Sequence, residues 1–254
     1  MRAHARIVAE ADGSGGTRLV VLASEAPLVL RRTGPEQVHL VGGAAGPLGG
    51  DELYLSIEVG AGARLCLRTV AASVALPGRG GAESLSHVDA SVAGSLDWLP
   101  EPLVAAGGCR HRVLSTVDLD RDASLLWRDE LVCGRHGEAP GDATVRTGVT
   151  LAGRPLLRHE LSVGPAAPGW DGPAVLGGAR AVGSLLVVSP SWAGAGKPAA
   201  QPLGPDAALL PLAGPAVLAS ATGADAHQVR VQLDAAQRVT RMRHPGNSPA
   251  TRCS

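Results

Sequence analysis

The chain has almost no aromatic side chains. Of its 254 residues only 2% are aromatic, phenylalanine is absent, and Tyr54 is the one tyrosine. Proteins that bind single-stranded nucleic acid stack its bases on aromatic rings, so this composition argues against that class. The hydrophobic core must be built mainly from Ala, Val and Leu, which dominate the 45% of residues counted as hydrophobic.

Net charge and lysine are also lacking. Lys197 is the one lysine, the other 22 basic residues are arginines, and 23 acidic residues bring the formal charge to zero. A protein that binds the phosphate backbone carries a basic excess, so we expect no nucleic acid partner. A net charge near zero favours association, and the protein is therefore expected to work together with other proteins.

Long apolar segments are missing as well. The first ten residues contain no apolar core of a secretory signal. No apolar run approaches the roughly 20 residues of a membrane-spanning helix. The sequence therefore predicts a cytoplasmic protein without a membrane partner.

What the chain has in abundance is turn residues and alternation. Its 34 glycines and 19 prolines imply many turns and short strands. Apolar and polar residues alternate over 53–59, the glycine pair of 60–62 follows, and alternation resumes over 63–68. A period of two is typical of a half-buried strand, so this segment predicts a strand, a tight turn and a second strand.

A short phrase, a small residue followed by an apolar strand, recurs along the chain. It begins at positions 63, 94, 123, 153 and 183, which are 31, 29, 30 and 30 residues apart. Such spacing is typical of a β-solenoid, although chance repetition in a chain rich in Gly, Ala and Leu is an equal alternative. A solenoid would stack these five strands in register. The predicted fold class is mainly β, a β-helix or solenoid-like stack of short strands with one or two helices late in the chain.

The late helix is expected near the end of the chain. The stretch from Ala224 to Arg238 lacks Gly and Pro, and Asp225 stands where an N-cap would be. We predict a single domain over 1–240 and a flexible C-terminal tail over 241–254.

Motifs for catalysis and tight metal binding fail when tested. Pro198 replaces the hydroxyl residue of a phosphate loop after Gly196-Lys197. Cys109, His111, Cys133 and His136 contain the ligand types of a zinc site, but their spacing matches no structural zinc motif closely. We expect separate buried thiols and surface imidazoles there, and no tight metal site.

Three blocks of the sequence resemble a known family. Residues 46–53 read Gly-Pro-Leu-Gly-Gly-Asp-Glu-Leu, residues 98–103 read Trp-Leu-Pro-Glu-Pro-Leu, and residues 123–138 contain Leu-Leu-Trp, then Glu130, Gly134-Arg135 and Gly137-Glu138. In this order they resemble the urease accessory protein D family, also called H in some bacteria. The resemblance is strongest over 26–188.

Membership would imply a maturation factor that is not an enzyme. Proteins of this family assemble with urease accessory proteins F and G, bind the urease apoprotein and help deliver nickel to its active site as part of a metallochaperone complex. The resemblance implies a β-helical fold with two helices and a water-filled tunnel for the ion. Nickel would be cargo in transit, with no tightly bound cofactor.

The resemblance also selects polar residues as candidates for lining or shaping a nickel path. They are Asp51, Glu52, Thr69, Ser73, Glu130, Arg135 and Glu138. Each has a structural alternative of equal standing: Asp51 would cap a turn, Thr69 and Ser73 would satisfy backbone groups, and Arg135 would pair with Glu138. A second set is expected to be architectural, namely Trp98, Pro100, Glu101, Pro102 and Trp127.

A second function remains open at this level. Carboxylates are scattered along the chain, and a β-solenoid enzyme that acts on a small polar substrate through surface carboxylates is the alternative. Spacing alone does not pair an acid with a base, so the sequence offers no catalytic residue.

Overall fold

The computed structural model describes residues 1–194 and 196–242. In chain order the strands are β1 (Arg2–Ala11), β2 (Thr17–Ala23), β3 (Leu28–Arg32), β4 (Gln37–Gly42), β5 (Glu52–Val59), β6 (Arg64–Thr69), β7 (Ser73–Ala75), β8 (Ser84–Val92), β9 (Ser95–Leu99), β10 (Leu103–Ala105), β11 (Arg110–Leu119), β12 (Ser124–Cys133), β13 (Asp142–Leu151), β14 (Arg154–Val163), β15 (Ala181–Val188), β16 (Gln201–Gly204), β17 (Ala207–Pro211) and β18 (Ala216–Gly223). One α-helix, α1 (Ala226–Met242), follows them.

The strands form two sheets. Sheet A has seven strands in the order β14-β13-β11-β8-β5-β1-β2. Sheet B has 11, with β16-β17-β18-β15-β12-β9-β6-β4-β3 as its main path and β7 and β10 beside it. Between β4 and β13 the chain alternates between the two sheets, and each pass through both sheets is one coil of the solenoid. Each strand of a coil pairs in parallel with the corresponding strand of the coil before it. The result is a β-solenoid of about four turns, which confirms the predicted fold class.

The alternating segment forms the strands that its pattern predicts. Leu53, Leu55, Ile57 and Val59 of β5 are buried, and Gly62 turns the chain with φ 77° before β6. These side chains join those of sheet B in the main core. Trp98 and Trp127 lie opposite each other on β9 and β12, with ring centroids 5.5 Å apart.

The repeated phrase is structural in its first three copies. Leu65, Leu96 and Leu125 lie in register on β6, β9 and β12. The prediction is wrong for the fourth copy, which forms β14 of sheet A, antiparallel to β13. The fifth copy of the phrase lies on β15, which pairs with β12 but runs antiparallel to it.

A hairpin turn ends the solenoid. Ala152 and Gly153 have φ of 48° and 73°, as the central residues of a two-residue hairpin turn require. This turn reverses the chain after β13 instead of letting it cross to sheet B. Antiparallel strands therefore complete both sheets after residue 151.

Helix α1 packs on the outer side of sheet B against β15 and β18. It begins two residues later and ends four residues later than predicted, and the backbone N–H of Gln228 donates to Asp225 Oδ1 at 2.8 Å, which confirms the N-cap. Within the described residues no helix has the length and apolarity needed to cross a bilayer. The tail predicted over 241–254 overlaps the last two residues of α1 and otherwise lies outside the described residues.

Candidate functional site

A cavity of about 480 Å³ lies between the two sheets. Besides the sheets, the loops over 42–47 and 69–74 border it. Its polar lining residues are Asp51, Thr69, Ser73, Ser86, His87, Glu101, His111, Ser115, Asp129 and Glu130.

The register of sheet A explains why the cavity forms at this end. In the N-terminal part of β8 the inward-facing residues include Ser84 and Ser86, and in that of β11 they include His111 and Ser115. On the next strand, β13, Thr147 lies beside Ser115. Further along the same strands the inward residues are apolar, as in the pair Val117 and Ala90. The interior is therefore a close-packed apolar core at one end and, at the other, a cavity whose largely apolar wall carries these polar side chains.

The structure brings four of the seven candidate path residues to this cavity. Asp51, Thr69, Ser73 and Glu130 line it, whereas Glu52, Arg135 and Glu138 do not. Of the architectural set, Trp98, Pro100 and Glu101 line the cavity, whereas Pro102 and Trp127 do not.

Asp51 lies at the turn before β5 and is 6% exposed. Its Oδ2 accepts the backbone N–H of Leu48 at 2.9 Å, and its Oδ1 accepts a hydrogen bond from the Met1 ammonium at 2.9 Å. Burial opposes ionisation, but these hydrogen bonds outweigh it, so the pKa of Asp51 is below its ordinary value. The carboxylate is therefore charged at neutral pH, and its bond to Leu48 also closes the turn.

Thr69 and Ser73 hold the loop that borders the cavity. The hydroxyl of Thr69 accepts the backbone N–H of Glu101 at 2.8 Å and donates to the carbonyl of Ala71 at 3.1 Å. The backbone N–H of Ser73 donates to the Pro102 carbonyl at 3.0 Å. This loop is thereby tied to the segment after β9.

Five charged side chains join α1 to sheet B beside the cavity and are called the ion cluster below. Its members are Glu101, Arg128, Glu130, Arg230 and Asp234. Arg230 of α1 donates from Nη1 to Glu101 Oε2 and from Nη2 to Glu130 Oε2, each at 2.8 Å. Arg128 lies 3.6 Å from Glu130 Oε1 and 2.5 Å from Asp234 Oδ1.

The ion cluster neutralises a carboxylate that water hardly reaches. The side chain of Glu130 is 2% exposed and that of Arg230 is 28% exposed. Partial burial disfavours the charge of Arg230, but hydrogen bonds to Glu130 and Glu101 outweigh it and raise the pKa of Arg230. Glu130 therefore borders the cavity, but its oxygens are bonded to guanidinium groups on the side of sheet B that faces α1.

The three candidates outside the cavity are engaged in exposed ion pairs. Glu52 Oε2 lies 3.6 Å from Arg2 Nε. Arg135 donates from Nε and Nη2 to the two oxygens of Glu138 at 2.8 and 2.7 Å. Hydrogen bonds from Arg135 and from the Gly107 backbone lower the pKa of Glu138 to about 2. The contacts of Arg135 with Glu138 are those of the structural alternative.

Asp129 is an interior carboxylate that the sequence did not single out for the site. Its Oδ2 accepts hydrogen bonds from Thr147 Oγ1 at 2.8 Å and Trp127 Nε1 at 3.1 Å. Burial raises the pKa of Asp129, although these two bonds oppose the rise. The residue is half-buried and lines the cavity. The sequence feature that could have identified Asp129 is its position two residues after Trp127 on one strand, which puts both side chains on the same face of the sheet.

The four Cys and His residues considered for zinc are distributed differently. Cys109 and Cys133 are buried free thiols in one apolar cluster, and burial raises the pKa of each to about 11. His136 is exposed, but the expectation of a surface imidazole is wrong for His111, which is 2% exposed. Within the described residues, no three or more Cys, His, Asp or Glu side chains are grouped so that they would hold a metal ion.

Comparison with known proteins identifies the family. The sequence profile of the family described as UreD urease accessory protein matches residues 1–253. The chain is 51% identical to urease accessory protein UreD 3 of Streptomyces griseus over 94% of its own length and 96% of that relative. It is 49% identical to the UreD of Streptomyces avermitilis, covering 93% and 96%, and 47% identical to that of Frankia alni, covering 92% of both. Sequence matches of this extent show that the chain belongs to the UreD urease accessory protein family.

Proposed function

We propose that this protein is a urease maturation factor of the cytoplasm and not an enzyme. In this proposal it binds the urease apoprotein and acts with urease accessory proteins F and G to deliver nickel to the urease active site. The relatives named above are called accessory proteins, which supports a role in maturation. Nickel is the cargo of the protein and is not its resident cofactor.

The observation that carries the proposal is the cavity inside the solenoid, in which carboxylates and hydroxyls occur in a largely apolar wall. A divalent cation that passes through protein needs ligands at intervals that hold it weakly and release it. Carboxylates and hydroxyls occur at intervals in the cavity wall, and within the described residues they form no ready-made cluster of three metal ligands. This arrangement suits transit better than storage.

Within the proposed path the candidate residues have different parts. Asp51 supplies a carboxylate on the sheet A side of the cavity, and Thr69 and Ser73 supply hydroxyls on the sheet B side. Asp129 supplies a carboxylate from sheet B, whereas the carboxylate of Glu130, which also borders the cavity, is bonded to Arg230 of α1. Glu52, Arg135 and Glu138 lie outside the cavity, so we assign them to the exterior of the protein and not to the path.

The maturation role is tested in a urease-producing strain that lacks this gene. We expect urease subunits to accumulate with little bound nickel, and the wild-type gene to restore the metal. Nickel is measured by mass spectrometry on purified urease. A normal nickel content in the deletion strain would contradict the proposal.

The path is tested with two neighbouring carboxylates that differ in position. Asp51→Asn removes a charge from the cavity wall, whereas Glu52→Gln removes one from the exposed side of β5. We expect the first to reduce nickel incorporation severalfold and the second to leave it unchanged, with both variants still binding accessory protein F. Equal incorporation by both variants would defeat the assignment of Asp51 to the path.

A further inference from the structure

Among the described residues, His111 is the one buried histidine that lines the cavity. It lies near the start of β11 and is 2% exposed. His87 also borders the cavity, but its ring stacks on Tyr54 with centroids 5.0 Å apart, on the opposite face of sheet A. His111 therefore supplies an imidazole to a wall otherwise made of oxygen donors and apolar groups.

Ser84 sets the orientation of this imidazole. Nδ1 of His111 lies 2.8 Å from the Ser84 hydroxyl oxygen, and that hydroxyl donates to the Arg110 carbonyl at 3.4 Å. We assign to His111 the tautomer in which the hydroxyl proton serves the Arg110 carbonyl and Nδ1 carries the ring proton and donates to Ser84. Among the described residues no side chain or backbone group is paired with Nε2 by a hydrogen bond, so in this tautomer Nε2 has a free lone pair on a residue that lines the cavity.

We propose that Nε2 of His111 is a nitrogen ligand for a borderline divalent cation such as Ni²⁺ in the cavity, and that it makes the cavity prefer such cations to Mg²⁺ and Ca²⁺. This inference rests on the proposed function, since it names the residue that would discriminate among cations on the same path. It adds to that function a site residue and a basis for selectivity.

The chemistry of the donor atoms supports this selectivity. Carboxylate, hydroxyl and water oxygens suit Mg²⁺ and Ca²⁺, whereas imidazole suits nickel, copper and zinc. A ligating histidine commonly donates its other ring N–H to a neighbouring acceptor, which fixes its tautomer and direction. The bond from Nδ1 to Ser84 is such a contact, and it exists before any cation arrives.

The surroundings of His111 keep its ring free of a second proton. Burial lowers the pKa of His111 to about 4, and a hydrogen bond with the Ser84 backbone opposes this only in part. The ring is therefore neutral at pH 7, so that a cation does not have to displace a proton from Nε2. Asp51 lies on the same rung of sheet A, since its backbone carbonyl accepts the N–H of Leu85, next to Ser84, while its carboxylate is paired with the Met1 ammonium.

The direct test is His111→Asn in the full chain. Asparagine places a polar atom near the position of Nδ1, within reach of Ser84, but has no atom at Nε2. We expect at least a ten-fold loss of Ni²⁺ affinity with unchanged Mg²⁺ affinity, both measured by equilibrium dialysis. His136→Asn, on an exposed imidazole, is the matched control and should retain wild-type affinities. A folded His111→Asn variant whose Ni²⁺ affinity stays within two-fold of wild type would overturn the proposal.

A second measurement does not depend on the folding of a variant. In the unmodified chain labelled with ¹⁵N-histidine, the His111 ring is identified as one that stays neutral at pH 5. Substoichiometric Ni²⁺ should broaden its Nε2 resonance first, because the ion is paramagnetic. A resonance that stays sharp while other imidazoles broaden would refute coordination by His111.

Urease activation separates the two proposals. If His111→Asn lowers Ni²⁺ affinity while nickel incorporation into urease is normal, the ligand assignment stands and the transit role of the cavity fails. If Ni²⁺ affinity is unchanged, the ligand assignment fails whatever the activation shows.

Discussion

At the scale of single residues, the structure depends on Glu130 through its buried ion pairs. Two arginines, one on the adjacent helix, neutralise its almost fully buried carboxylate. Removing one member of a buried ion pair leaves its partners charged and poorly solvated. Glu130 therefore has a structural role whether or not nickel passes it.

Glu130→Ala should lower the free energy of unfolding by about 3–5 kcal/mol. The control is Glu58→Ala, because Glu58 pairs with Arg6 at 2.8 Å on the surface, where both side chains are more than 40% exposed. That change should cost at most about 1 kcal/mol. Urea denaturation followed by circular dichroism measures both. Similar costs for the two variants would show that the ion cluster is not a stabilising anchor.

Burial of His111 makes stability depend on pH. Desolvation lowers the pKa of His111 to about 4 in the folded chain, against about 6.5 when unfolded. The unfolded state binds a proton first as the pH falls, so stability should decrease from pH 6.5 down to about pH 4, by a total of about 3 kcal/mol.

His111→Asn should flatten this part of the pH profile, whereas His136→Asn should keep it. Thermal unfolding at half-unit steps between pH 7 and pH 4 measures the slope. A wild-type profile that is level between pH 6.5 and pH 4.5 would contradict the neutral buried imidazole.

At the scale of elements, the contact between α1 and sheet B depends on a missing side chain. A Cβ at Gly183 of β15 would lie 2.7 Å from Val229 Cγ1 and 2.9 Å from Leu233 Cδ1, both on the helix. Gly183→Ala should therefore push α1 outward and cost about 1–3 kcal/mol. Gly148→Ala is the matched control, because the nearest atom to its Cβ would be 3.9 Å away. Chemical denaturation of the two variants should differ accordingly, and equal stability would contradict the close packing of helix on strand.

Elements were predictable where local pattern determines them. Alternation in 53–59 and the Asp225 cap determine a strand and a helix start by themselves, so both were predicted from the sequence. The fourth phrase was assigned to the wrong sheet because Ala152 adopts a positive φ, which residue type does not signal. The chain thus turns back where the spacing of about 30 residues suggested another coil.

The site was predictable only in part, for a different reason. Asp51 and Glu130 were chosen from motif blocks, and both line the cavity. The spacing of Asp129 from Trp127 placed it on the inner face of β12, but that it meets Thr147, and that His111 meets Ser84, depends on which residues neighbouring coils bring together. Local sequence shows on which face of a strand a residue lies, but not which residue faces it from the next coil.

At the scale of the whole molecule, the interior combines a packed end with a polar end. The apolar rungs and the tryptophan pair form the core, whereas the polar rungs leave a cavity of about 480 Å³ between the same two sheets. Polar groups in the interior cost stability unless they are bonded, and a protein retains such a cost where function requires it. Asp129 is a residue of the cavity wall at which the loss of stability and the contribution to function can both be measured.

Asp129→Asn should make the protein more stable and less able to support urease maturation. The amide oxygen can still accept the bonds from Thr147 and Trp127, while the buried charge is removed. Because burial raises the pKa of Asp129, the charged form is disfavoured in the folded state, and the gain should appear above about pH 4 and grow as the pH rises. A gain on the order of 1 kcal/mol corresponds to an increase in Tm of about 2–4 °C at this size.

The comparison needs Tm at pH 8 and nickel content of urease matured with each variant. Asp118→Asn is a suitable control, since Asp118 is an exposed carboxylate on β11 that does not line the cavity, and it should change neither quantity. Lower stability of Asp129→Asn at pH 8 would show that the carboxylate contributes more through its bonds than its burial costs. Higher stability with unimpaired maturation would mean that the buried charge is not required for nickel transit, and the polar end of the solenoid would need another explanation.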